Sequence, residues 1–179
     1  MAAPFIVSGG PGAGKTTLLA QLSKRGFVVL DEVPRRLIEE QSAKENGILP
    51  WHDLPRFAAL CFEAMREQKR LACQQETRTF LDRAMPDIIG YLTLAGESIP
   101  QEYVEACLGY QKVAFLCKPE RSIYVQDAIR PYPFEQALAI HQALEETYRW
   151  LGFEVIDVPL LAVEARTQWL VAKLGALIE

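Results

Sequence analysis

The chain has 179 residues, half of them hydrophobic, with 19 Lys and Arg against 23 Asp and Glu and a formal net charge of −4 at pH 7. That length supports one well-buried core, and a mild acidity with no block of like charge argues against general binding to nucleic acid or to an anionic membrane surface. Cys61, Cys73, Cys107 and Cys117 form no C-x-x-C pair and have no close histidine, and no apolar run approaches the roughly 18 residues of a membrane span, so the expectation is a single cytoplasmic domain with free thiols, no zinc site, no disulfide framework and no membrane-spanning segment.

Short apolar runs alternate with longer segments of helical period, as in sheets built from crossover units. The run "PFIVS" (4–8) predicts a first strand, and "GGPGAGKTT" (9–17) follows it at once. A helix should open at that glycine loop and close at "KRG", where Gly26 can take the left-handed cap. "FVVL" (27–30) predicts a second strand ending on Asp31 and Glu32, followed by a helix from near Val33 that Asn46-Gly47 would stop. Asp53 is placed to cap a long helix reaching about Gln75, with Pro55 tolerated in its first turn. Third and fourth strands are predicted at "RTFLD" (78–82) and "VAFLC" (113–117). Beyond them lie a polar, proline-containing segment, a helix from near Phe134 to a stop at Gly152, and a fifth strand "FEVIDV" (153–158). Most of these strands are continuously apolar, as buried parallel strands are, and such sheets bind ligands at the C-terminal ends of their strands. Polar chemistry gathers at four of those ends: the glycine loop, Asp31-Glu32, Asp82-Arg83, and the stretch holding Lys118, Arg121, Asp127 and Arg130.

Gly9, Gly14, Lys15 and Thr16 satisfy the P-loop pattern G-x-x-x-x-G-K-[ST] between a predicted strand and a predicted helix, the context that confirms it. Glycines let successive N–H groups turn inward onto phosphate oxygens, and the helix N-terminus adds about half a positive charge. Gly9, Gly10, Pro11, Gly12, Ala13, Gly14, Lys15, Thr16 and Thr17 are therefore the candidate nucleotide-binding residues. Lys15 would reach the β and γ phosphates, and Thr16 would offer its hydroxyl to Mg²⁺. Asp82, closing the third strand in "FLDR", suits the acid that holds the same metal through water. Asp31 and Glu32 sit where a phosphotransferase needs a base or anchor for its acceptor; as plain structural residues they would be acids favouring a helix N-terminus. Residues 118–133 read as a lid that brings Arg121 and Arg130 over a transferring phosphate, or else as a surface loop. His52 and His141 lie in no partner pattern and read as structural or solvent residues. Phe57, Cys61, Phe62 and Met65 on the long helix could wall an acceptor pocket, although apolar residues at that spacing are more often core.

The segments "GGPGAGKTT", "DEVPRR", "FLDRAMPDIIGYL" and "YVQDAIRPYPFEQALAIHQALEETYRWLGFEVIDVP" together resemble the AAA-type predicted ATPase family that includes the kinase domain of the nicotinamide-nucleotide regulator NadR. The resemblance extends over nearly the whole chain. It implies a P-loop NTPase three-layer α/β sandwich, similar to nucleoside and nucleotide kinases, with a five-stranded parallel sheet in the order 2-3-1-4-5. It implies ATP and Mg²⁺ as cofactors and a small nucleoside-like acceptor. Asp82 and Arg83 then map onto metal and phosphate positions, Arg130 onto the lid, and Glu32, Arg35 and Asp87 onto the acceptor side. Transfer of the ATP γ-phosphoryl group is the leading functional expectation. The alternative is a nucleotide-dependent ATPase- or GTPase-type regulatory module, and the absence of an N/T-K-x-D pattern favours adenine over guanine.

Overall fold

A computed structural model describes residues 2–126 and 133–177. Five parallel strands form one sheet: β1 (Phe5–Gly9), β2 (Val28–Leu30), β3 (Thr79–Asp82), β4 (Val113–Cys117) and β5 (Glu154–Asp157), in the order β2-β3-β1-β4-β5. The order and the strand positions are those expected. Among the described residues seven helices accompany them: α1 (Lys15–Lys24), α2 (Val33–Ser42), α3 (Leu54–Cys73), α4 (Met85–Leu94), α5 (Gln101–Glu105), α6 (Phe134–Trp150) and α7 (Val163–Ala176).

The central strands are buried on both faces because their side chains alternate between two apolar layers. Ile6, Leu81, Ala114 and Leu116 face a core shared with α2, α3 and α4 and with Tyr148 of α6. Phe5, Val7, Phe80, Phe115 and Cys117 face the opposite core, closed by Leu18 and Leu22 of α1 and Leu170 and Leu174 of α7. Each fully buried side chain of this size contributes roughly 1.5–3 kcal/mol, so the two layers hold the sheet firmly enough to fix the geometry of its edge. Register places Val7 beside Asp82 and Gly9 beside Cys117, which brings the ends of β1, β3 and β4 together.

Local signals act as their chemistry dictates. Gly26 takes φ 88° just past α1, and the Asp53 carboxylate caps α3 by accepting from the Arg56 N–H at 3.1 Å. Helix α2 ends at Ser42, earlier than the Asn46-Gly47 signal suggests. The Gln41 side chain accepts from the Ile48 N–H at 3.0 Å, so residues 43–47 fold back over the helix end instead of extending it. The four cysteines are free, and burial pushes the Cys61 and Cys107 thiols up to about 12, which makes them inert. Among the described residues no helix is long and apolar enough to cross a membrane.

Candidate nucleotide and acceptor site

The glycine loop leaves β1 and curls into α1, whose first residue is Lys15. Gly12 and Gly14 take φ 72° and 70°, the left-handed region that a side chain disfavours. Space also excludes one: a Cβ on Gly9 would collide with the Cys117 carbonyl, and one on Gly12 with the Tyr124 ring. The loop opens onto a cavity bounded by residues 10–16, Glu32, Arg35, Arg83 and Val125.

Charge is concentrated on the floor of this cavity. The Lys15 ammonium lies 2.5 Å from an Asp82 oxygen and 3.9 Å from a Glu32 oxygen. Arg83, next along from Asp82, has φ 65°, and its N–H donates to the Val7 carbonyl at 3.0 Å. A non-glycine residue held there costs on the order of 1–3 kcal/mol, a cost tolerated where the conformation aims a side chain at a site. Its guanidinium is 1% exposed. Nε lies 3.3 Å from Glu32 and Nη1 donates to Asp87 at 2.9 Å. Burial works against the charge, but Tyr91, Asp87 and Asp82 outweigh it, and the guanidinium titrates above its usual range. Nε and Nη2 have no hydrogen-bond partner among the described residues. A buried guanidinium with unused donors beside a polar cavity suits an anionic ligand with oxygen acceptors, as a phosphate chain has.

Asp87 anchors this arrangement. Its carboxylate accepts from Ser8 Oγ at 2.5 Å, the Ala84 N–H at 3.0 Å, Tyr148 Oη at 2.6 Å and Arg83 Nη1. It is 0% exposed. Both oxygens are engaged by the protein, so the residue holds Arg83 in place, and it also borders a second cavity, on the side where the acceptor is expected. That cavity lies against Asp87, between α2, α3 and α4. It is an apolar slot walled by Pro34, Ile38, Leu54, Phe57, Ile88 and Tyr91.

Residues 4–166 match the AAA domain family. The chain belongs to that family. Among solved structures it is similar to thymidylate kinase from Ehrlichia chaffeensis, with a TM-score of 0.59 and 16% identity over 98% of this chain and 100% of the other. It is also similar to deoxyadenosine kinase from M. mycoides, a structure with bound dATP, with a TM-score of 0.62 and 16% identity over 97% and 99% of the two chains. The likeness establishes a nucleotide-kinase-like P-loop fold. No curated protein matches the sequence.

In this AAA-domain protein the predicted site residues separate into two groups. The loop residues, Lys15, Glu32, Arg35, Asp82 and Arg83 come together at one edge of the sheet, while the Thr16 and Thr17 side chains are exposed at the start of α1. Asp31 does not join them. It is exposed and does not line the cavity, and its carbonyl accepts from Gln68 Nε2 at 2.7 Å, so Glu32 alone of that acidic pair faces the loop. Arg121 also stands apart: its side chain is 70% exposed, Nη2 bonds Glu135 at 2.8 Å, and the guanidinium lies 4.4 Å from the Phe134 ring centroid. Asp127 and Arg130 lie outside the described residues. From the same segment Pro119, Ile123, Tyr124 and Val125 reach the loop. On α3, Cys61, Phe62 and Met65 are core, with Phe62 stacked on Tyr103 at 4.4 Å, whereas Phe57 and Ala58 line the slot.

Four contributors escaped sequence reasoning. Ser8 and Tyr148 hold Asp87. Arg166 of α7 donates Nη1 to the Ala13 carbonyl at 3.0 Å, and His141 of α6 accepts from the Gly10 N–H at 3.2 Å. Of the two expected readings of His141, structural or solvent residue, the first fits: it is a buried partner of the loop. Spacing carries no trace of these pairings, which join positions as much as 153 residues apart.

Proposed function

We propose that this protein transfers the γ-phosphoryl group of Mg-ATP to a hydroxyl of a small, nucleoside-like acceptor. The observation that carries this reading is the meeting of two unlike cavities at the Arg83–Asp87 pair: a polar cradle built from a P-loop and bordered by Arg83, and an apolar slot bordered by Asp87. A donor needs the first and the uncharged body of an acceptor suits the second. The residues present fit the cofactor. Loop amides, Lys15 and Arg83 match a polyphosphate, while the Thr16 hydroxyl and Asp82 carboxylate are hard oxygen donors of the kind Mg²⁺ takes when phosphates complete its shell. Bound Mg-ATP would supply the electrophilic phosphorus.

The chain's own residues supply position and charge. Lys15, which neutralises Asp82 in the structure, is within reach of phosphates entering the cradle and would exchange one anionic partner for another. Glu32 is the only carboxylate bordering the cavity among the described residues, so it is the group assigned to take the acceptor's hydroxyl proton as that oxygen bonds to the phosphorus and ADP leaves. Arg83 lies beside it to stabilise the charge spread over the transferring group. The lid role of Arg130 belongs to the same proposal, as do cytoplasmic location and a single-domain catalytic unit.

A second reading, a nucleotide-dependent regulatory module, is favoured by one observation: Tyr124 packs against Gly12 and could report on loop occupancy. An acceptor screen separates the two. A kinase consumes Mg-ATP at least about tenfold faster with one nucleoside or related ring-bearing alcohol and releases a phosphorylated product. A switch hydrolyses at the same rate with every compound.

A further inference from the structure

Gly10 stands where the loop leaves β1, enclosed on the α6 side. A Cβ there would meet Pro119 Cγ at 2.5 Å, the Ala137 carbonyl at 2.6 Å and His141 Cβ at 3.0 Å. Its N–H is directed at α6 and donates to His141 Nδ1. The next residue, Pro11, has no N–H. The amides available to a phosphate chain therefore begin at Gly12, and the orientation of the backbone leading to them depends on an acceptor supplied by a side chain 131 residues away.

An imidazole nitrogen accepts a hydrogen bond only while it carries no proton. His141 is 4% exposed, and burial holds its pKa below the ordinary 6.5. Glu145 on its own helix and Asp157 on β5 act in the opposite direction, while Lys118 after β4 and Arg83 after β3 add to the lowering. Protonation of the ring would turn Nδ1 into a donor facing the Gly10 donor. One hydrogen bond would be replaced by a repulsion at the base of the loop.

We propose that His141 is a positioning residue for the phosphate-binding loop: its neutral Nδ1 fixes Gly10 so that the amides from Gly12 onward form the cradle, and acid releases that hold and weakens nucleotide binding. The second half rests on the nucleotide-binding reading above; the first does not.

Two variants isolate the acceptor from the ring. His141→Asn places an oxygen close to the position of Nδ1 but does not titrate. His141→Phe keeps the ring volume and removes the acceptor. In the full chain without nucleotide, Gly10 amide protection measured by NMR between pH 8 and 5 should fall about tenfold in the wild type, the scale of one hydrogen bond. Its midpoint should coincide with the His141 ring titration seen in the ¹⁵N shifts. Protection in His141→Asn should stay flat, and in His141→Phe it should be low throughout. Mg-ATP affinity by calorimetry should follow the same pattern, the wild type losing about tenfold more than His141→Asn on acidification; that comparison cancels the titration of ATP itself. Equal acid sensitivity in the Asn variant, or wild-type Gly10 protection in the Phe variant, would overturn the proposal. A wild type whose Gly10 protection follows His141 but which binds no Mg-ATP at pH 8 would support the clamp and overturn the nucleotide reading instead.

Discussion

The phosphate cradle and the apolar slot meet at one ion pair and are built in opposite ways. The cradle is made of backbone: three glycines at positive φ and a helix start, held from outside by His141, Arg166 and the Asp87 network. The slot is made of side chains from three helices and of Pro50 in the turn before α3. A polyphosphate presents the same oxygens whatever nucleotide carries them, so a backbone cradle can be stereotyped. An acceptor of the proposed kind would be recognised by shape, so a slot that takes it is free to vary with the side chains that wall it. Changes in the cradle should therefore affect donor binding and turnover together, and changes in the slot should affect only the acceptor.

The largest effect is expected at the junction. Asp87→Asn removes one of the charges that Arg83 faces, at a pair buried from water, and breaking a buried pair costs about 3–5 kcal/mol. For a chain of this size the thermal midpoint should drop by about 6–20 °C, measurable by calorimetry. A drop of only a degree or two would mean that Arg83 is held by other groups, and the two regions would then be less coupled than described.

Asp82→Asn tests the cradle with little change of shape. Mg²⁺-dependent turnover should fall at least about tenfold to a hundredfold, the scale for groups that hold a metal's outer shell, while the chain stays folded. Lower melting with turnover per folded molecule unchanged would make Asp82 a structural residue. Lys15→Ala should weaken Mg-ATP binding about tenfold to a hundredfold, since charge-assisted hydrogen bonds are worth roughly 1.5–3 kcal/mol. Unaltered affinity by titration calorimetry would remove the cradle assignment altogether.

The slot calls for the converse experiment. Ala58→Leu pushes a larger side chain into it from α3 and should raise the acceptor KM about tenfold, the scale of a misfit in an apolar pocket, with Mg-ATP affinity constant. A rise in the ATP Kd of the same size would show that slot and cradle are one site. The smallest effect belongs to Arg121→Ala. Its partner Glu135 is equally exposed, so stability should shift by less than about 1 kcal/mol and Mg-ATP affinity by no more than about twofold. A tenfold loss would return Arg121 to the phosphate site.

The same contrast explains what the sequence discloses. Phosphate binding demands glycines, a lysine and a threonine at fixed offsets on one continuous stretch, so residues 9–17 are legible at once, and the strand ends follow from apolar runs that stop on charged residues. Helix α4 is nearly illegible because it is buried almost all round, from Met85 to Gly90 and again at Leu92, and shows no polar face to set a period. Its Gly90 packs directly on Leu144 of α6. The short α5 and the C-terminal α7 likewise carry no signal strong enough to predict them. The separation of Asp31 from Glu32 depends on which side of the chain faces the loop at the start of α2. The positive φ of Arg83, and the links from His141 and Arg166 to the loop, exist only once the sheet has brought distant segments together.

On the proposed function the cradle takes the donor and the slot takes the acceptor. A crystal structure of the protein with Mg²⁺ and a non-hydrolysable ATP analogue tests it most directly. Phosphates are expected along the amides of residues 12–16, with the Lys15 ammonium moved from Asp82 to the phosphate oxygens and the slot between Phe57, Ile88 and Tyr91 free of nucleotide. An adenine ring seated in that slot, or a Lys15 still bound to Asp82 with the phosphates elsewhere, would contradict it.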